Sequence, residues 1–261
     1  IYAEHALSLM DRLGSKRMES RTLLLVYGSV WHWMNPIEDC LKPLLKGYKV
    51  GLQMGDIESA LWCIYFYLWF SLFLGTPLTE IVADLEIYRK QMLKHKQMKH
   101  YSWSSIFQQA LMNLIGDNGN TFQLKGSAAD EDELMKEAKD ISILKPALNL
   151  FQVYAMFYFG EHERIVKMIE KNGVDYFEKS LPGIVPLCAD AFHSALSCIS
   201  MVRRTGRSKY KKLAKKYAAK VKSFVEKGVS IARYIIVPCM FLAKGAFLLL
   251  DPRLTHAFPN L

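Results

Sequence analysis

This 261-residue chain lacks the common signatures of catalysis. It has no C-x-x-C pair, no H-x-x-x-H spacing, no G-x-x-x-x-G-K-[ST] loop and no G-x-G-x-x-G turn. The first two absences remove the usual zinc and thiol-redox frameworks, whose ligands sit one helical turn or one tight loop apart. The last two remove the glycine spacing that turns backbone N–H groups toward phosphate. Gly14-Ser15-Lys16 and Gly206-Arg207-Ser208 do not supply it. Cysteine is scarce and odd in number: Cys40, Cys63, Cys188, Cys198 and Cys239 are scattered through apolar patterns, as buried reduced thiols of an intracellular protein are. No charged stretch precedes an apolar run and a small-residue cleavage site, so no secretory signal is expected. The chain opens at Ile1 with a helical pattern running by Ala3, which is expected of a piece of a longer chain.

Period-two alternation between hairpin turns is also missing, and helical periodicity fills the space. The pattern predicts helices over Ala3–Leu13 and from a Ser20 or Thr22 cap to the Asn35-Pro36 break, then from Pro36 to Met54, with Pro43 kinking or dividing the last. Further helices are predicted over Asp56–Leu74, Leu78–Gln97, Trp103–Ile115, Ala128–Asp140, Ile143–Phe159, Ile184–Arg203 and Ser208–Lys227. Gly55-Asp56 is the clearest punctuation: glycine accepts the left-handed cap of one helix and aspartate caps the next, while Ala60 lets two helices approach. Gly160-Glu161 repeats it 105 residues later, about three times the 35 residues of a helix–turn–helix repeat.

Two apolar stretches bear on membranes. Ala60–Leu74 is apolar on all sides but shorter than the roughly 18–20 residues a span requires, and Asp56 and Glu58 stand at its entrance. It reads as a helix sandwiched between layers. Val229–Leu250 is long enough, yet Arg233 and Lys244 interrupt it at about 2.5–3.5 kcal/mol each on insertion scales. Membrane attachment through either stretch is the alternative reading of the chain, with contact through the tail the more direct route.

The net charge of +9 is concentrated in one place. Between Arg203 and Lys227 eleven Lys/Arg face Glu226 alone, which leaves the rest of the chain with one net negative charge. In this helix Tyr210, Leu213, Ala214, Tyr217, Ala218, Val221, Phe224 and Val225 form a single apolar stripe, and the lysines take the remaining surface. Aromatics on the packing face cannot stack bases, so nucleic acid is not expected. Candidate partner-binding residues are Arg203, Lys209, Lys211, Lys212, Lys215, Lys216 and Lys220, with His193 as an interface histidine. Trp31, His32, Trp33, Tyr48, Gln108 and Gln109 are further candidates for a concave surface.

Catalytic constellations are weak. Asp190, His193 and Ser194 share one helix, whereas a hydrolytic triad gathers its members from separate elements around an oxyanion hole. Asp130-Glu131-Asp132-Glu133 lacks the glycine turn and closing glutamate of a calcium loop and suits a helix N-terminus instead.

A set of short matches resembles the helical-repeat region of large microbial signalling ATPases of the STAND type. They are Gly47-Tyr48 and Gly51-Leu52 leading to Gly55-Asp56 and Ala60, then Gly75, Pro77 and Leu78, Gln109 with Asn113-Leu114, and Leu124-Lys125-Gly126. Phe159-Gly160-Glu161, Ala189-Asp190-Ala191-Phe192-His193-Ser194-Ala195-Leu196 and Tyr210-Lys211-Lys212-Leu213-Ala214 complete the set. The resemblance implies an all-α fold, a right-handed superhelical array of antiparallel helix hairpins like tetratricopeptide repeats, over residues 1–228. It implies a non-catalytic cytoplasmic scaffold that contacts a neighbouring ATPase or kinase domain, or an acidic protein partner. ATP belongs to the parent chain in this picture, and no cofactor belongs to this segment. Residues 229–261 depart from the family pattern as an apolar tail, of the kind an altered reading frame or wrongly joined exon produces.

Overall fold

The computed structural model describes residues 2–116, 122–137, 143–184 and 186–226. The apolar tail from 229 onward, Cys239 and the Asn118-Gly119-Asn120 loop lie outside them. The described residues are all-helical: α1 Tyr2–Leu13, α2 Lys16–Leu23, α3 Glu38–Met54, α4 Ile57–Phe73, α5 Leu78–Lys94, α6 Met98–Ile115, α7 Glu131–Glu137, α8 Leu144–Tyr158, α9 His162–Asn172, α10 Tyr176–Ser180, α11 Pro186–Thr205 and α12 Ser208–Glu226. No strand forms among them, and Lys125 and Asp130 meet in an isolated antiparallel bridge.

The punctuation acts as its chemistry requires. Gly55 is left-handed at φ +79°, and the Asp56 carboxylate accepts the Ser59 N–H at 3.2 Å to open α4. Gly160 is also left-handed, and the N–H of Glu161 closes on the Met156 carbonyl at 2.8 Å in a Schellman cap. The Glu161 side chain, however, caps nothing and pairs with Arg164. Lys96 adopts the same cap at φ +55° without being glycine.

Two boundaries differ from the periodicity. Ser15, not Ser20 or Thr22, stands at the N-cap of α2, and Ser20 is buried against α3 and α4. After Leu23 the helix widens into a π turn over Leu24–Val30 and then tightens into a 3-10 turn over Trp31–Trp33. Gly28 sits on the Phe66 ring there: a Cβ would lie 3.0 Å from it. Pro43 lies inside α3 without dividing it. α9 and α10 occupy a stretch to which periodicity assigned no helix.

Four main helix pairings join neighbours in sequence, α2 on α3, α3 on α4, α5 on α6 and α11 on α12, while α6 packs on α8 and α9 on α11 across an intervening helix. The α2–α3–α4 crossing is tight. A Cβ on Gly51 would lie 2.5 Å from Ser20 Oγ, 2.8 Å from Ala60 Cβ and 2.9 Å from the Asp56 carbonyl oxygen. Gly47, one turn earlier, lies under Cys63 Sγ in the same way.

The aromatic helix α4 runs through the interior. Ala60, Leu61, Cys63, Ile64, Leu68 and Phe70 are sealed from solvent, and Trp69 stacks on Phe107 of α6 at 4.9 Å and on Phe151 of α8 at 5.0 Å. Its apolar run is thus a core helix, and no helix of the described residues is long and apolar enough to cross a membrane. An open array leaves its first and last hairpins apart. Here Trp33 stacks on Phe224 of α12 at 6.2 Å, so the early and late helices touch.

Two substitutions test this packing by urea unfolding. Gly51→Ala is expected to destabilise by about 1–3 kcal/mol through overpacking, despite the ~1 kcal/mol that alanine contributes to helix propensity. Phe107→Ala is expected to cost about 3–5 kcal/mol.

Candidate functional site

The predicted basic surface divides once α12 is packed. Tyr210, Ala214, Tyr217 and Val221 are buried, as the stripe required. Lys220 is not a surface cation: it is half-buried, donates to the Val174 carbonyl oxygen at 3.0 Å, and pairs with Asp175 at 2.9 Å and Glu178 at 2.8 Å. Lys209 pairs with Glu170 of α9 at 2.7 Å. These two lysines lock α12 onto the acidic α9–α10 stretch, so their acidic partner is the chain itself. Lys211 is half-buried and Arg203 is exposed at the end of α11. Lys212, Lys215 and Lys216 remain, one turn apart on one exposed face and without an ion pair to any described residue.

His193 lies in the interior of this chain rather than on its surface. It is 3% exposed and stacked on Phe157 at 4.2 Å, with Tyr154 and Tyr158 around it, and burial lowers its pKa to about 3. Ser194 donates to Asp190 at 3.4 Å, so the three residues of the weak triad pattern do not converge. Burial pushes the Asp190 carboxyl up to about 7 against the pull of Ser194 and Lys220.

The concave-surface candidates are largely internal. His32 is buried against Phe70, with its pKa lowered by burial to about 4. Gln109 accepts the N–H groups of Ala128 and Ala129 at 3.0 and 3.2 Å and donates to Asn113 at 2.8 Å. Gln108 accepts from Arg89 at 2.5 Å, and Arg89 also donates to Tyr101 Oη and the Ala128 carbonyl oxygen. Polar side chains that could have formed an interface instead fasten the segment after α6 onto α5 and α6. Trp31, Trp33 and Tyr48 are half-buried, Trp33 against Phe224 and Tyr48 against Tyr88.

The thiols are not poised for chemistry. Cys40, Cys63, Cys188 and Cys198 are free and buried, and burial pushes each up to about 12. Among the described residues no three His, Cys, Asp or Glu side chains are placed to share a metal ion.

The periodicity also left a cavity unremarked. About 360 Å³ of space opens between α4, α6, α8, residues 181–184 and Pro186 at the start of α11, with Ser29 of the π turn among its lining. Trp62, Tyr65, Phe66 and Trp69 supply one wall. Their spacing of three, one and three residues is a helical stripe, the signal from which this wall was readable. Trp103 and Phe151 close the opposite side.

Comparison of the chain with protein-family models, curated proteins and solved structures returned no significant match. The likeness to signalling ATPases therefore rests on the residues quoted for it.

The buried histidines set a pH dependence. His32, His100 and His193 titrate in the fold at about 4, 4 and 3, below the ordinary 6.5, because burial disfavours the charged ring. Their contribution to stability is present above pH 6.5 and lost as pH falls toward 4, while the unfolded chain takes up protons the fold refuses. Asp190, raised to about 7, acts oppositely and loses stability as pH rises from 4 to 7. The three histidines outweigh it, so urea midpoints are expected to drop from pH 6.5 to pH 4.5. His100→Phe should flatten the slope by about 1.4 kcal/mol per pH unit and Asp190→Asn steepen it by a similar amount.

Proposed function

We propose that this chain is a non-catalytic helical scaffold that docks an acidic protein surface on the exposed face of α12. The observation that carries this reading is the row Lys212, Lys215 and Lys216, which is exposed and unpaired among the described residues. Like charges three and four residues apart on a helix repel, and an acidic partner relieves that repulsion. The acids within reach of α12, Glu170, Asp175 and Glu178, are already taken by Lys209 and Lys220. Arg204 and Arg207 extend the positive surface around the α11–α12 turn. The buried positions of Tyr210 and Tyr217 support a protein partner over single-stranded nucleic acid, which needs exposed rings for stacking.

The pairing of α2 with α3, α3 with α4, α5 with α6 and α11 with α12 supports the finer reading of a tetratricopeptide-like array of hairpins, one whose early and late helices meet at the Trp33–Phe224 stack. On the family resemblance, the acidic partner is a neighbouring ATPase or kinase domain in a cytoplasmic signalling protein. ATP then binds that neighbour and not this segment.

The test uses a fluorescein-labelled polyglutamate peptide and fluorescence anisotropy. At low ionic strength the protein is expected to bind it, and charge reversal as Lys212→Glu, Lys215→Glu and Lys216→Glu should weaken binding about tenfold or more, as should physiological salt. The same reversal at Lys209 and Lys220 should instead lower thermal stability. Equal affinity in the triple variant and the unaltered protein would sink the proposal.

A further inference from the structure

A second opening, distinct from the aromatic cavity and the basic face, lies between α7, α8 and α9. It offers about 440 Å³, and no residue of α12 lines it. Its charged groups differ in what they already hold. Glu131 accepts the Leu124 N–H at 3.0 Å and the Gln152 amide at 2.9 Å, and Asp132 pairs with Lys125 at 3.2 Å. Lys167 pairs with Glu163 at 2.8 Å. Lys145 and Lys171 line the same cleft, are exposed, and make no ion pair or hydrogen bond to any described residue. The half-buried Asn172 amide beside them is also without a partner among the described residues. The topology gathers these three groups. α8 and α9 are joined by the short turn through Gly160 and run back along one another, so the last turn of α9 lies beside the first two turns of α8. Lys145 belongs to the first turn of α8, and Lys171 and Asn172 to the last turn of α9. Glu131 is held at Gln152, a further seven residues along α8 from Lys145, or about 10 Å by the helical rise.

We infer that this cleft binds an aromatic phosphate monoester, its phosphate held by Lys145, Lys171 and the Asn172 amide. Ammonium groups and an amide N–H₂ all donate, so the guest must accept. Two uncompensated cations call for two negative charges in one place, and a phosphate monoester carries nearly two on a single tetrahedral group. Lysine binds phosphate as a point charge, which requires no bidentate geometry. The rest of the guest meets Met135, Leu148 and Met168, and thioethers make favourable contacts with aromatic rings. The volume lies within the range of small-molecule sites.

The experiment titrates the full chain at neutral pH and low ionic strength with 1-naphthyl phosphate, 1-naphthoate and uncharged 1-naphthol, read by isothermal calorimetry. The ester is expected to bind with a Kd on the order of 100 µM, the singly charged naphthoate about fivefold more weakly and the naphthol more weakly still. Lys145→Gln and Lys171→Gln should each weaken the ester about threefold, and together about tenfold. Both variants should melt as the unaltered protein does, because neither lysine holds another part of the fold. Neutralising the basic face instead, as Lys212→Gln, Lys215→Gln and Lys216→Gln, should leave the ester affinity within about twofold, since those side chains lie outside the cleft. Failure of the ester to bind, equal affinity for ester and naphthol, or undiminished ester affinity in the Lys145→Gln, Lys171→Gln double variant overturns the inference.

Discussion

The stack of Trp69 on Phe107 and Phe151 is the contact on which the rest of this molecule depends. Three rings from α4, α6 and α8 meet with centroids 4.9, 5.0 and 5.3 Å apart, and each comes from a different helix. Aromatic side chains bury more apolar surface than any others, and offset or stacked rings add directional preference to that burial. A helix as apolar as α4 has no outside, so it must be enclosed. The hairpins on either side exist in the relation they do because they enclose it.

Several properties follow from that enclosure. Rings this large do not fill a space between four elements without remainder, and the remainder is the cavity beside Trp62, Tyr65 and Trp69. Histidines drawn into the same interior lose their charge, which makes the fold sensitive to acid. Polar side chains near the core are spent on fastening backbone: Gln108, Gln109 and Arg89 hold the segment around Ala128 and Ala129 to α6. What is left for the outside is charge, and on α12 it is nearly all of one sign. That division between an aromatic interior and a basic outer face is the one on which the proposed scaffold rests.

Local chemistry carried most of the fold into the sequence. Gly55, Asp56 and Ala60 specify a left-handed cap, a side-chain cap and a close approach by their own stereochemistry, and each does so in place. The stripe of α12 was equally readable because seven spacings agree on one face. The π turn at Leu24–Val30 was not, because it depends on how Gly28 meets Phe66, a residue 38 positions away. The fates of Lys220 and His193 were hidden for a similar reason. One lysine among many is singled out only by the arrival of Asp175 and Glu178, and one histidine only by the rings of α8. Gln109 looked like a surface residue by type, yet Ala128 and Ala129 take its carbonyl end and Asn113 its amide end.

The claim that α4 is the enclosed centre is best tested by native-state hydrogen exchange. The amides of residues 60–70 are predicted to exchange only through global unfolding, at the same free energy as the central amides of α6 and α8 and with the same denaturant dependence. Exchange of α4 through a separate, smaller opening while α6 and α8 remain protected would contradict the account.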